Sequence, residues 1–490
     1  MSSVIVRQEP SPPSTFDFLA YRAGIEPGKI ALATPLRKIS YLRFYQDVLR
    51  FSLALKALGV SQGSLVVVLV NSDIYLHWLL LIACENNGAV SVSWPNVKTL
   101  PSICFREAVD FTFSEYFIES ELEIGCCFRL DADWLNKVFR MDLSAERDFR
   151  PNMIALDDVQ RITHSSGTTG GQKAMLLKRR AQEQKIRFFA ENLYLCRDDS
   201  LLLTMSFSVN AAFLCATHFL RLGLLVVSGP IIWALQNFPV TYFEILPLAL
   251  NSLLQKIPDD FIRPEKLHVR VIGASFGSEL KKKSLQAICT EISGRYATNE
   301  VWPIAYGMNH EQLGTLLPGV QVKIIDDLGV EMAAGSIGQI AVKTSTMVDG
   351  YYKNEKATAR HFVDGYFLTG DIGRLLPSRG LQLLGRCDDV LNLGGMKSSP
   401  DSIEARIKSI DGVLDAAATS IISGQAIEEL CVAVVIENVA ERCTGIKQTV
   451  VDSVSSLGLQ RVLLKFVGSL PQTENGKLSR QMLQQIFLKD

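Results

Sequence analysis

The chain has 490 residues, 48% hydrophobic and 21% charged, with a net charge of −1 and a mean hydropathy of +0.17. Such a composition excludes a disordered chain and supplies apolar material for a large core in two to four domains. The near-zero charge implies no nucleic-acid partner and no membrane surface. The basic runs Lys178-Arg179-Arg180 and Lys281-Lys282-Lys283 read as solvated helix faces. Ten cysteines are scattered without zinc spacing, as in a reduced, cytoplasmic protein. The polar, Pro-rich start MSSVIVRQEPSPPST does not read as a signal peptide.

In chain order, residues 40–59 predict an amphipathic helix. Ser40 is placed as its N-cap, Tyr41, Phe44, Val48, Leu55 and Leu58 form its apolar stripe, and Gly59 ends it. Leu65–Val70 reads as a strand buried on both faces, followed by helical material at Tyr75–Glu85 and a short strand near Ala89–Val92. Similar strand runs occur at Leu201–Met205, Leu224–Val227 and Val269–Ile272. The apolar stretch Leu201–Leu220 carries Ser206, Ser208, Asn210 and His218, which fits the interior of an α/β protein better than a membrane span. Strands alternating with helices predict an α/β fold with parallel-rich sheets flanked by helices. From about residue 315 to 385, the short strands Val320–Ile325, Ile337–Lys343 and Leu381–Leu384 predict a β-rich subdomain closing a large domain, 1–385. Residues 386–490 then predict a small α+β domain, with Val432–Ile436 its clearest strand.

The most informative segment is His164–Lys173, HSSGTTGGQK. Glycines let successive backbone N–H groups turn toward one anion, hydroxyls add donors, and a lysine neutralises polyphosphate charge. It is not a P-loop, because G-x-x-x-x-G-K-[ST] does not fit. The segment resembles the phosphate-binding loop of the adenylate-forming superfamily of acyl-CoA synthetases, nonribosomal peptide synthetase adenylation domains and luciferases. Gln172 and Ala174 stand where that family usually has proline and glycine. The resemblance implies nucleotide binding by Ser165, Ser166, Gly167, Thr168, Thr169, Gly170 and Lys173, with Thr168 also catalytic.

Four further segments are similar to the family's motifs and follow in its order. Tyr296-Ala297-Thr298-Asn299-Glu300 resembles Y-G-x-T-E, which implies adenine stacking by Tyr296 and Mg²⁺ binding by Glu300. Tyr366–Asp371, YFLTGD, resembles W/Y-F-x-T-G-D and implies that Asp371 accepts from the ribose hydroxyls. Gly385–Val390, GRCDDV, resembles the hinge motif and implies a nucleotide contact for Arg386 and a pivot at Asp388. Gly394 and Gly395 then match the strand that lines the thiol tunnel. Leu470–Arg480, LPQTENGKLSR, resembles L-P-x-T-x-x-G-K-x-x-R and implies that Lys477 is the catalytic lysine.

The resemblance implies an acid–thiol ligase that uses ATP and Mg²⁺. A carboxylic acid attacks the α-phosphorus, pyrophosphate leaves, and the small mobile domain swings so that CoA or the phosphopantetheine of a separate carrier protein takes the acyl group. The protein's task is positioning and charge neutralisation. Phe207, Asn210, Gly273 and Ala274 are the expected acid-pocket residues. Asn210, in place of an acidic residue, favours an aryl or short acyl acid without a free α-ammonium. Two alternatives stay open at this point. Gly273-Ala274-Ser275-Phe276-Gly277 is a G-x-S-x-G string that suits a serine hydrolase with Ser275 as nucleophile and His310 or His361 as base. The departures at Gln172, Ala174, Ala297 and Asn299 suit a nucleotide-binding protein without turnover.

Overall fold

A computed structural model describes residues 12–144, 149–165, 173–192, 195–273, 276–309, 311–387, 391–393, 396–398, 400–422, 428–436, 439–455, 462–472 and 478–488. The chain forms two compact units. One contains the chain up to Pro239 together with Ser345–Thr358, and the other contains Val240–Thr344 and Ala359–Asp490.

In the first unit, local signals set the helices. The expected N-cap Ser40 accepts from the Arg43 amide at 3.2 Å and starts the helix Tyr41–Ala57. Gly59, at φ +97°, closes it, a conformation that costs other residues a clash. The helix buries Tyr41, Phe44, Val48, Phe51 and Leu55. The helix Ile74–Asn86 is buried from Tyr75 to its end, so it shows no polar face. A six-stranded sheet runs in the order Cys126–Arg129, Phe111–Ser114, Leu65–Leu69, Val90–Ser93, Val159–Ser165, Lys173–Lys178. Its first five strands are parallel and its last is antiparallel. Leu65–Leu69 is wholly buried, as its run of valines requires. A second set of strands pairs Ser200–Leu203, Leu225–Ser228 and Ile30–Ala33 in parallel, with Lys38–Ser40 antiparallel at the edge. The apolar stretch after residue 200 divides into a strand and the buried helix Asn210–Arg221. Among the described residues no helix is long and apolar enough to cross a membrane.

In the second unit, Tyr242–Ile245, His268–Val271 and Glu291–Thr298 are parallel. The sheet then turns antiparallel through Trp302–Met308, Leu313–Leu316, Gly380–Arg386, Tyr366–Leu376, Gly338–Lys343 and Gln321–Ile325. That antiparallel half holds the β-rich texture read from residue 315 onward. Farther along, Val413–Ile422 pairs antiparallel with Glu428–Ile436, which pairs parallel with Val462–Phe466. This small sheet has a core on each face. One contains Ile403, Ile407, Val432 and Val450, and the other Leu414, Cys431, Leu483 and Phe487.

Candidate active site

Three motifs remote in sequence meet in the second unit. Asp371 and Arg386 are cross-strand partners, and Arg386 Nη1 donates to Asp371 Oδ1 at 3.0 Å. The Tyr296 hydroxyl donates to Asp371 Oδ2. Thr369 locks the turn that presents Asp371: its Oγ1 accepts from the Asp371 amide at 3.0 Å and donates to the Ile340 carbonyl at 3.0 Å. Gly370 lies between them at φ +75°, and a Cβ there would meet Arg386 Nη2 at 3.0 Å, so this position needs glycine. Arg386 donates to one Asp371 oxygen and Tyr296 to the other, and a carboxylate oxygen can accept a further hydroxyl besides. Burial raises the Asp371 pKa above the ordinary carboxylate range and outweighs the opposing effect of Arg386. Burial also holds the Tyr296 phenol well above its usual range.

Glu300 is buried in the turn that links Glu291–Thr298 to Trp302–Met308. The turn is held by a Val301 amide bond to Thr298 Oγ1 at 3.3 Å and a Thr344 hydroxyl bond to the Val301 carbonyl at 3.0 Å. No cluster of three or more metal-ligating side chains exists among the described residues. A single carboxylate fits Mg²⁺, which takes most of its ligands from phosphates and water. Gly273, at φ +81°, follows the strand His268–Val271, and a Cβ there would strike Leu246 Cδ2 at 2.8 Å.

In the first unit the strands on either side of the phosphate segment, Val159–Ser165 and Lys173–Lys178, pair antiparallel. Ser165 pairs with Lys173, so the two strands bring together both ends of the 166–172 connection. The outgoing strand is braced by a Met175–Tyr351 bridge and a Tyr352 amide bond to the Ala174 carbonyl at 2.8 Å. Lys173 Nζ lies 4.9 Å from the centre of the Tyr351 ring. His164 at the head of the motif is a packed aromatic, edge-on to Trp94, and burial lowers its pKa to about 4.

The two acid-pocket candidates in this unit are both buried. Phe207 is fully buried against His77, Trp78 and Phe213. Asn210 opens the helix Asn210–Arg221, and its amide exchanges hydrogen bonds with Gln182 at 3.2 and 3.3 Å. Ser166, Gly167, Thr168, Thr169, Gly170, Ala274, Ser275, His310, Asp388, Gly394, Gly395 and Lys477 lie outside the described residues.

The profile of the AMP-binding enzyme family matches residues 19–352. The chain belongs to that family. Its sequence is 24% identical to an indoleacetate–CoA ligase of Aromatoleum aromaticum, over 96% of this chain and 98% of that protein. It is 23% identical to part of a plipastatin synthase polypeptide of Bacillus subtilis, over 84% of this chain and 17% of that protein. Its fold matches the crystal structure of ATP-bound MatB from Rhodopseudomonas palustris with a TM-score of 0.81 at 20% identity, covering 96% of this chain and 99% of that one. An AMP-binding enzyme binds ATP, and its class is that of acid–thiol ligases working through an acyl adenylate. This class decides against the serine-hydrolase alternative.

Motif reading names Tyr296, Asp371 and Arg386, which the structure brings together, but not what holds them. Thr369 is inside the quoted motif, yet its role is set by the Ile340 carbonyl on another strand. Arg295, next to Tyr296, donates to both oxygens of buried Glu244 at 2.7 and 2.9 Å, which anchors the strand that carries the tyrosine. No local signal pairs residues so far apart in the chain.

Proposed function

We propose that this AMP-binding enzyme activates an organic acid lacking a free α-ammonium, an aryl or short acyl acid, as its acyl adenylate. It then transfers the acyl group to the thiol of CoA or of a separate carrier protein. The meeting of Tyr296, Asp371 and Arg386 carries this reading, since it forms a seat for a nucleoside: a ring, a two-oxygen acceptor and a cation. Lys173 and the hydroxyls of Thr168 and Thr169 neutralise and orient the outer phosphates. Mg²⁺ beside Glu300 supplies charge neutralisation when bound. Lys477 stabilises the charge that develops at the α-phosphate. Residues 386–490 act as the mobile domain, with Asp388 as pivot and Gly394 and Gly395 facing the thiol. The relatives named as a CoA ligase and a plipastatin synthase support the two thiol classes respectively.

The test is acid-dependent exchange of labelled pyrophosphate into ATP over a panel of aryl and short acyl acids, with single-turnover acylation of CoA. Lys477→Ala slows exchange by about 10²–10³-fold, the scale for losing one preorganised charge-stabilising donor, and spares transfer from preformed acyl-AMP. Gly395→Leu does the reverse. Folded protein that exchanges with no acid is the outcome of the alternative without turnover and defeats this reading.

A further inference from the structure

Arg161 is an interior cation whose charge no carboxylate of the described residues balances. It lies on the strand Val159–Ser165, which leads into the phosphate segment, and is 2% exposed. Nη2 donates to Ser93 Oγ at 2.9 Å and to the Phe207 carbonyl at 2.5 Å. Nε and Nη1 have no acceptor among the described residues. The guanidinium carbon is 4.6 Å from the centre of the Phe213 ring. The titratable groups of the described residues around it, His77, Cys84 and His164, are neutral at pH 7. Burial lowers the pKa of His77 to about 3 and raises that of Cys84 to about 12. Burial lowers Arg161 itself to about 9, which leaves it protonated at neutral pH. Elsewhere in the same unit, equally buried Arg221 donates to both oxygens of Glu183 at 2.6 and 2.9 Å.

A charge taken out of water without a counter-ion is unfavourable, and an apolar side chain would fill such a site at less cost. Unfilled buried donors of this kind point to a group absent from the chain itself. The position of Arg161 indicates which group. One nitrogen holds the backbone carbonyl of Phe207, an expected acid-pocket residue, and the Phe213 ring, which packs edge-on against the Phe207 ring, covers the guanidinium. The carboxylate to be activated must stay free to attack ATP, so it cannot be the partner of a buried guanidinium.

We infer that Arg161 receives a second anionic group of the acid substrate, remote from the reacting carboxylate, so that the substrate is a dicarboxylic or similarly doubly anionic acid with a short or aromatic middle. This rests on the proposed acid activation. Phe213, whose ring covers the guanidinium, is the side chain that an incoming anion displaces. The planar donors of arginine suit a carboxylate in a way that one ammonium does not.

The test compares matched acids, succinate against butanoate and terephthalate against 4-methylbenzoate. Pyrophosphate exchange and calorimetric binding are read in wild type, Arg161→Met and Arg161→Lys. Wild type is expected to favour each diacid at least about tenfold, and Arg161→Met to lose about 100-fold on the diacid with at most tenfold on the monoacid. Arg161→Lys keeps part of the preference. Wild-type preference for the monoacids overturns the inference and leaves the proposed function standing. Equal loss on both members of each pair in folded Arg161→Met also overturns it, because Arg161 then only positions Phe207. Arg161-dependent diacid binding without any exchange supports the anion site and defeats the proposed function. Neither exchange nor diacid binding defeats both. If Arg161→Met does not fold, the wild-type pairs and Arg161→Lys decide.

Discussion

Two buried arginines, one in each compact unit, show opposite solutions to the same physical problem. Arg295 in the second unit meets both oxygens of Glu244, and Tyr242 donates a further hydrogen bond to that carboxylate at 2.7 Å. Trp302 adds its ring face at 5.5 Å. This charge is compensated inside the fold, and it braces the strand that carries Tyr296. Arg161 in the first unit has a carbonyl, a hydroxyl and a ring, but no anion among the described residues. A paired interior charge is a frame, whereas an uncompensated one is an invitation to a ligand.

The largest expected effect breaks the frame. Glu244→Gln leaves Arg295 buried without its counter-charge, which costs roughly 3–5 kcal/mol of stability. Arg161→Met removes a charge that has no counter-ion among the described residues, so its stability change is expected to stay within about 1 kcal/mol or to be a gain. Urea or thermal midpoints of the two variants, measured side by side, check the contrast. Similar losses in both would show that the surroundings of Arg161 compensate its charge after all.

The same contrast explains which features were legible in the sequence. Short-range signals transferred well. Ser40 caps the expected helix, Gly59 ends it, and the valines of Leu65–Leu69 are buried on both faces. Asp371, Arg386 and Tyr296 can be named from the sequence because each lies inside a motif string. Their joint geometry depends on sheet register, since Asp371 faces Arg386 only through the pairing of Tyr366–Leu376 with Gly380–Arg386. Asn210 was a reasonable pocket candidate, but its amide is satisfied by Gln182 on the neighbouring helix, a contact that no local pattern announces. Arg161 was legible as a residue and not as a site. Its meaning is that no carboxylate of the described residues lies against it, a three-dimensional property.

Asp371 stands between the two extremes. It is ion-paired to Arg386, yet its pKa is raised because burial outweighs that pair. Asp371→Asn keeps the shape and removes the charge that accepts from ligand hydroxyls. Hydrogen bonds to a charged acceptor contribute about 1.5–3 kcal/mol, so ATP affinity is expected to fall roughly 10–100-fold. Calorimetric titration with ATP, alongside the KM for the acid, separates this from a general loss. An acid KM that rises as much as the ATP KM would place Asp371 outside the nucleotide seat.

The smallest effect tests how that carboxylate is kept ionised. Because its folded pKa is raised, native Asp371 binds a proton more tightly than the unfolded chain does. Its contribution to stability therefore falls as pH rises through the window between the ordinary carboxylate value and the raised one. In the proposed nucleotide seat binding responds in the opposite direction, since only the ionised form would offer both oxygens to ribose, and ATP affinity should rise across that window. The Tyr296 hydroxyl bonds to the ionised form and works against the effect of burial. Tyr296→Phe keeps the ring for adenine but removes that bond, so the Asp371 pKa should climb further. The acid limb of the ATP affinity profile is then expected to move to higher pH. Above the limb the variant and the wild type should differ much less, because Arg386 still holds the other oxygen. An unmoved limb, or one shifted to lower pH, would mean that the phenol does not stabilise the ionised carboxylate and that Tyr296 contributes its ring alone.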